Sequence, residues 1–178
     1  DKGEIKKIIE REISRHGQIF YVAPRIHDLK IIEKKLNKII PDLRYDTIHG
    51  QLPNRQIEDS YNRFFNRGSD LLISTAMIES GLDVSNVNTI IIEKPHLFGL
   101  AQLYQLRGRV GRSSLQAYAY LILDDFKNIN ENSIKKLQII SKINQLGAGL
   151  SIATSDLDLR GGGNIVGSEQ SGHIKEVG

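Results

Sequence analysis

Three short runs of almost purely apolar residues, set among amphipathic stretches, constrain the fold of this chain more than anything else in it. Gln18-Ile19-Phe20-Tyr21-Val22, Asp70-Leu71-Leu72-Ile73-Ser74 and Thr89-Ile90-Ile91-Ile92 lack the in-and-out alternation of a sheet with one wet face. Runs of this kind mark strands covered on both faces, as in a parallel sheet. Tyr45 to His49 reads as a further strand, and Ala117 to Leu123, where tyrosine and alanine alternate, as another. Helical periodicities lie among them. Ile5, Ile8, Ile9 and Ile13 recur at helical spacing between Gly3 and His16, with Gly17 as the stop. Leu29, Ile32, Leu36, Ile39 and Ile40 do the same from Asp28 to Ile40, ended by Pro41. Asn54 to Asn66, with Pro53 suited to its first turn, and Leu100 to Arg107 complete the set. Strand alternating with helix predicts an α/β fold, a parallel sheet flanked by helices. In such sheets ligands collect at the loops beyond the carboxyl ends of the strands.

After residue 125 the pattern changes. A helix is expected to run to Leu146 with Asn132 or Ser133 as its N-cap, and Gly147-Ala148-Gly149 breaks it. Gly161-Gly162-Gly163 and Gly167 to Gly172 follow in a polar tail that buries little by itself. Residues 1–125 are therefore expected to form one domain and 126–178 an appendage, a division that suits 178 residues. The chain begins without methionine and reads as a piece of something longer.

Composition excludes several classes. There is no cysteine, hence no disulfide framework and no thiolate nucleophile or metal ligand, a usage that fits a reducing, cytoplasmic setting. The five histidines include no pair four residues apart, so no metal site is expected. No apolar run approaches the roughly 20 residues of a membrane span. A formal charge of +3 hints only mildly at an anionic partner, so local clustering has to carry that argument.

The clustering is sharpest in Gln102-Leu103-Tyr104-Gln105-Leu106-Arg107-Gly108-Arg109-Val110-Gly111-Arg112. Arg109 and Arg112 are three apart and would share one face of a helix. Two planar guanidinium forks aimed at one spot can grip triphosphate oxygens bidentately, or equally the phosphates of a nucleic acid. Two loops at strand ends add polar groups. Ser74 and Thr75 offer hydroxyls to a nucleic-acid phosphate, Gly81 lets a backbone amide face an anion, and Asp83 can accept from a ribose hydroxyl or simply cap the next element. His49-Gly50-Gln51 ends another strand, and Arg25 sits in a comparable loop.

Taken in order, strand, His-Gly-Gln, Ser-Thr-x-x-x-Glu-x-Gly-x-Asp and Gln-x-x-x-Arg-x-x-Arg resemble the second RecA-like motor domain of superfamily 2 helicases. The resemblance implies that Gln105, Arg109 and Arg112 face ATP phosphates across a cleft and act catalytically. It makes Gly81 and Asp83 part of the nucleotide side, and Thr75, with Ser74, His49, Gly50, Gln51 and Arg25 around it, part of a DNA-binding rim. ATP with Mg²⁺ would be the cofactor, held mainly by a partner domain, because the chain has no Gly-x-x-x-x-Gly-Lys-Ser/Thr loop and no acidic pair after an apolar strand with such a loop beside it. Alone, it is expected to be inactive.

Asp156-Leu157-Asp158-Leu159-Arg160-Gly161 and Glu169-Gln170-Ser171-Gly172 resemble the TRG element, a helical hairpin and loop found in RecG and in the transcription-repair coupling factors. The glycines at 161–163 and the run to Ile174 look closer to the latter family. That resemblance implies a bacterial, cytoplasmic double-stranded-DNA translocase in which Arg160 and Gln170 couple ATP state to DNA movement. RNA polymerase and a nucleotide-excision-repair protein would be partners through other domains. A RecG-type fork-remodelling helicase and a motor-derived module that only binds nucleic acid are the alternatives.

Overall fold

The computed structural model describes residues 2–75, 87–107, 117–123, 129–143 and 149–154. In chain order these form α1 (Lys2–Ser14), β1 (Gln18–Ala23), α2 (Ile26–Ile39), β2 (Tyr45–Ile48), α3 (Asn54–Phe65), β3 (Leu71–Thr75) and β4 (Val87–Glu93). A single 3₁₀ turn (Pro95–Leu97) leads into α4 (Leu100–Arg107), followed by β5 (Tyr118–Leu123), α5 (Glu131–Ile143) and β6 (Gly149–Thr154).

The strands make one parallel sheet in the order β2-β3-β1-β4-β5-β6. The apolar runs are central: every residue of β1, β3 and β4 is buried. Side chains alternate between two cores. On one face Phe20, Val22, Leu72, Ile90 and Ile92 pack with Phe64 of α3, Leu103 and Leu106 of α4 and Leu137 of α5. On the other, Ile19, Tyr21, Ile73 and Ile91 pack with Ile5 and Ile9 of α1 and Leu29, Ile32 and Leu36 of α2. Covering the sheet on both sides satisfies strands with no polar face, and the RecA-like α/β architecture follows.

Buried polar groups pin the layers. Gln18 is buried at the start of β1, and its amide nitrogen donates to the carbonyls of Phe64 (2.7 Å) and Ser69 (2.9 Å). Glu12 of α1 is buried, accepts from Arg15 (2.8 Å) and from the Thr89 hydroxyl, and fills the space beside Gly17. A Cβ on Gly17 would lie 1.8 Å from the Glu12 carboxylate, so this glycine is required by close approach.

The sheet crosses the boundary expected at residue 125. β6 pairs in parallel with β5 from Tyr118↔Gly149 to Leu123↔Thr154, so α5 and β6 extend the same sheet by one more unit. Ala117 to Leu123 was expected as a strand and is one, but tyrosine–alanine alternation does not give it a wet face: Ala119 to Leu123 are all buried. The α5 N-cap is Asn130, whose side-chain oxygen accepts from the Ser133 amide (2.8 Å), two residues ahead of Asn132. Residues 155–178 of the expected TRG element, with Arg160 and Gln170, lie outside the described residues.

Candidate functional site at the carboxyl rim of the sheet

Register decides which loops meet. Ser74 of β3 pairs with Val22 of β1 and with Ile48 of β2, so these three strands end level with one another. The chain beyond each end then forms one rim: His49-Gly50-Gln51 after β2, Thr75 at the end of β3, and Arg25 two residues past β1. Ala23 and Thr75, far apart in sequence, become neighbours through strand pairing alone.

Each group has a definite local setting. Ser74 is fully buried and its hydroxyl donates to the Thr75 carbonyl (2.8 Å), which withdraws it from any ligand surface. Thr75, the last residue of β3, follows it and is itself 6% exposed. The half-buried His49 accepts at Nδ1 from the Gln51 amide (3.2 Å), and its carbonyl accepts from the Leu52 amide (3.1 Å). That turn leaves Gly50 and Gln51 exposed and makes Nε2 the nitrogen that can carry a proton outward. Arg25 caps α2 in extended conformation, and among the described residues no acceptor pairs with its guanidinium.

Gln105 is carried by α4. β4 lies beside β1 opposite β3, and α4 follows it. Leu103 and Leu106 are buried while Gln102 and Gln105, three apart, are exposed on the opposite side of the helix. Gln102 is used locally, its Oε1 accepting from the Gly99 amide (3.0 Å) at the helix start. Gln105 stands in solvent one turn further on. Arg109, Arg112, Gly81 and Asp83 lie outside the described residues.

A second set of residues, which the pattern of motifs did not pick out, ties these elements together. Asp28 is buried, accepts from the Arg25 amide (3.2 Å) and pairs with Lys94 (2.7 Å) at the end of β4. Next to it the buried Glu93 accepts from the Tyr21 hydroxyl (2.6 Å) and from Lys35 (3.4 Å). Lys136 of α5 donates to the carbonyls of His96 (3.1 Å) and Phe98 (2.6 Å), and burial lowers its pKa below the usual lysine value of 10.5. The available signals were faint: Asp28 stands three residues after Arg25, a capping distance, and Lys94 precedes a proline. Among the described residues no group of three acidic, histidine or cysteine side chains could hold a metal ion.

The helicase conserved C-terminal domain family matches residues 3–114. Transcription-repair-coupling factor of Rickettsia prowazekii (strain Madrid E) is 48% identical over 174 residues, 98% of this chain and 16% of that protein. The protein of the same name from Mycobacterium bovis is 42% identical over 178 residues, 100% of this chain and 14% of its own length. The chain thus spans about one sixth of the curated relatives it matches. Among solved structures, RecG bound to a three-way DNA junction is similar with a TM-score of 0.61 and 34% identity, covering 77% of this chain and 18% of that one. The C-terminal domain of the DEAD-box protein Dbp5 has the same TM-score at 18% identity, covering 80% and 78%, a likeness of fold. With the sheet order, the covered strands and the rim in view, the chain belongs to the helicase conserved C-terminal domain family.

Proposed function

We propose that this chain is the second motor domain of an ATP-dependent double-stranded-DNA translocase acting in transcription-coupled repair. The observation that carries the reading is identity of 42–48% to transcription-repair-coupling factors along essentially the whole chain, past the end of the helicase family match at residue 114. In this reading Gln105, Arg109 and Arg112 reach ATP bound on a preceding motor domain, with Gly81 and Asp83 completing the nucleotide side. The two arginines neutralise charge that develops on the transferred phosphoryl group, a contribution worth about 10³–10⁵ in rate where an arginine finger acts. ATP with Mg²⁺ supplies the phosphoryl chemistry when bound, and the partner domain holds most of it. Thr75, Arg25 and the His49-Gly50-Gln51 turn track DNA phosphates, which makes movement indifferent to base sequence. Arg160 and Gln170 convert closure into movement. RNA polymerase and a repair protein engage other parts of the full-length protein, in the bacterial cytoplasm.

The similarity to RecG supports a second reading, a fork-remodelling helicase. It extends over less of the chain and at lower identity than the coupling-factor match. The decisive experiment uses the full-length protein. Duplex DNA should stimulate ATP hydrolysis, Arg109→Ala should lower kcat by about 10³ while duplex binding persists, and the protein should displace RNA polymerase halted on a template. Unchanged hydrolysis in R109A overturns the motor reading; reversal of model forks without polymerase displacement selects the RecG-type alternative.

A further inference from the structure

The turn between β4 and α4 is held from two sides by lysines. Lys94 reaches back to Asp28, while Lys136 arrives from α5, 38 residues beyond Phe98 in sequence, and donates to two main-chain carbonyls. Those carbonyls belong to His96 and Phe98, which bracket the exposed Leu97. Phe98 is buried beside Leu103, Leu106 and Leu137, so the same turn is fixed by packing beneath and by the ammonium group above. α4 starts two residues later, with Gly99 accepting from the Leu103 amide and donating to Gln102. Only Gly99, hydrogen-bonded to Leu103 and Gln102, separates Phe98 from the helix that bears Gln105.

We propose that Lys136 is a positioning residue that fixes the direction of α4, and so sets where Gln105 stands relative to the nucleotide. The second half of that statement rests on the motor reading above. A lysine suits the task because its ammonium group carries three donors on a long apolar stem and can satisfy two carbonyls of one turn at once. Its bonds are charge-assisted, and the one to Phe98 is short at 2.6 Å, which gives them more strength than a neutral donor would have. Leverage does the rest. Leu100 to Gln105 spans about 7.5 Å of helix, so a tilt of about 10° at the base moves Gln105 by about 1 Å. A displacement of about 1 Å in a group that positions a reaction can cost on the order of 10²-fold in rate. The arrangement also ties α5 to α4, because Lys136 adds a polar link to the turn before α4 beside the packing of Leu137 with Leu103 and Leu106.

The test compares Lys136→Met, which keeps the stem and removes the donors, with Lys136→Arg, which keeps donors. Both are made in the full-length protein. Amide hydrogen exchange and steady-state ATP hydrolysis on duplex DNA are measured side by side. The expected result for K136M is exchange at least tenfold faster over residues 100–107 with β1, β3 and β4 unchanged, kcat lowered about 10- to 100-fold, KM for ATP within twofold, and duplex affinity unchanged. K136R should recover most of both losses. Unchanged exchange in α4 overturns the proposal. So does a uniform rise across the sheet, which marks general loss of stability, or a normal kcat in a protein whose α4 exchanges faster. If the wild-type protein hydrolyses no ATP, the motor reading fails, and the exchange of α4 still decides whether Lys136 fixes that helix.

Discussion

Lys94 Nζ lies 2.7 Å from Asp28 Oδ1, and through this pair the loop after β4 is tied to the first turn of α2. Asp28 is 3% exposed and also accepts from the Arg25 amide, so one carboxylate caps α2 and anchors the neighbouring strand end. The pair is demanding. Lys94 holds it from a left-handed backbone conformation, φ 51° and ψ 54°, which a side chain with a Cβ adopts at some cost. A conformation of that kind persists only where surrounding contacts determine it.

Replacing Lys94 separates backbone strain from the ion pair. K94A loses the ammonium group but keeps the strained conformation; K94G loses the ammonium group and relieves the strain. Both should be less stable than wild type, and K94G should be more stable than K94A by about 1 kcal/mol. Urea denaturation of the three proteins reads the difference directly. Equal midpoints for the two variants would mean that the turn relaxes once the ion pair is gone.

Gln18 offers a sharper case because its partners leave no freedom. Two carbonyl oxygens, of Phe64 and Ser69, can only accept, so the buried amide nitrogen must face them. Phe64 also receives the Arg67 amide at 2.9 Å, so Ser69 is the acceptor that depends more on Gln18. Gln18→Met should cost about 1–3 kcal/mol by stranding a buried acceptor. Gln18→Glu should cost more despite its closer shape, since a carboxylate would meet two oxygens. A Glu variant as stable as the Met variant, measured by chemical denaturation near neutral pH, would show that water enters the site.

The order of these effects explains what could be read from the chain and what could not. The all-apolar runs at 18–22, 70–74 and 89–92 gave away their parallel sheet because burial on both faces leaves no polar alternation to misread. Gly149–Thr154 escaped notice as β6 because Gly147-Ala148-Gly149 at its start looks like a hinge, while its pairing to β5 depends on strand register that the local pattern does not encode. His49 and Arg25 were legible as loop residues and Thr75 as lying near a strand end, but their common rim depended on strand register, which local pattern does not encode. Ser74 and Thr75 read as equivalent hydroxyls in the sequence, but both are the buried last residues of β3, and the Ser74 hydroxyl is spent on the Thr75 carbonyl. Lys94 with Asp28, 66 residues apart, and Lys136 with Phe98, 38 apart, leave no periodic trace at all.

Lys136 should also register in the pH dependence of stability. Burial lowers its pKa in the folded chain below the usual 10.5, so between those two values the unfolded chain binds more protons. Stability therefore rises with pH through that window. The penalty for burying the cation is fully present below the folded value and is gone once pH passes 10.5. The difference in unfolding free energy between wild type and K136M should accordingly be flat at neutral pH and move in favour of wild type as pH climbs toward 10.5. A difference that stays flat through that range would mean that the ammonium group is as well solvated as one on the surface.

Charge and hydrogen bonding at the rim can be told apart by salt. If Arg25 neutralises a DNA phosphate, its removal abolishes one released counterion, and the slope of log K against log salt concentration should shrink by about 0.9 for duplex DNA. Thr75 carries no charge, so Thr75→Val should weaken binding by about 0.5–1.5 kcal/mol with the slope unchanged. The valine is of similar volume, which keeps the buried end of β3 filled. Titration of the full-length protein with a labelled duplex at several salt concentrations gives both numbers. A slope that Arg25→Ala leaves untouched would remove Arg25 from the backbone contacts, and a Thr75→Val protein that binds like wild type would leave the strand end without a role in DNA recognition.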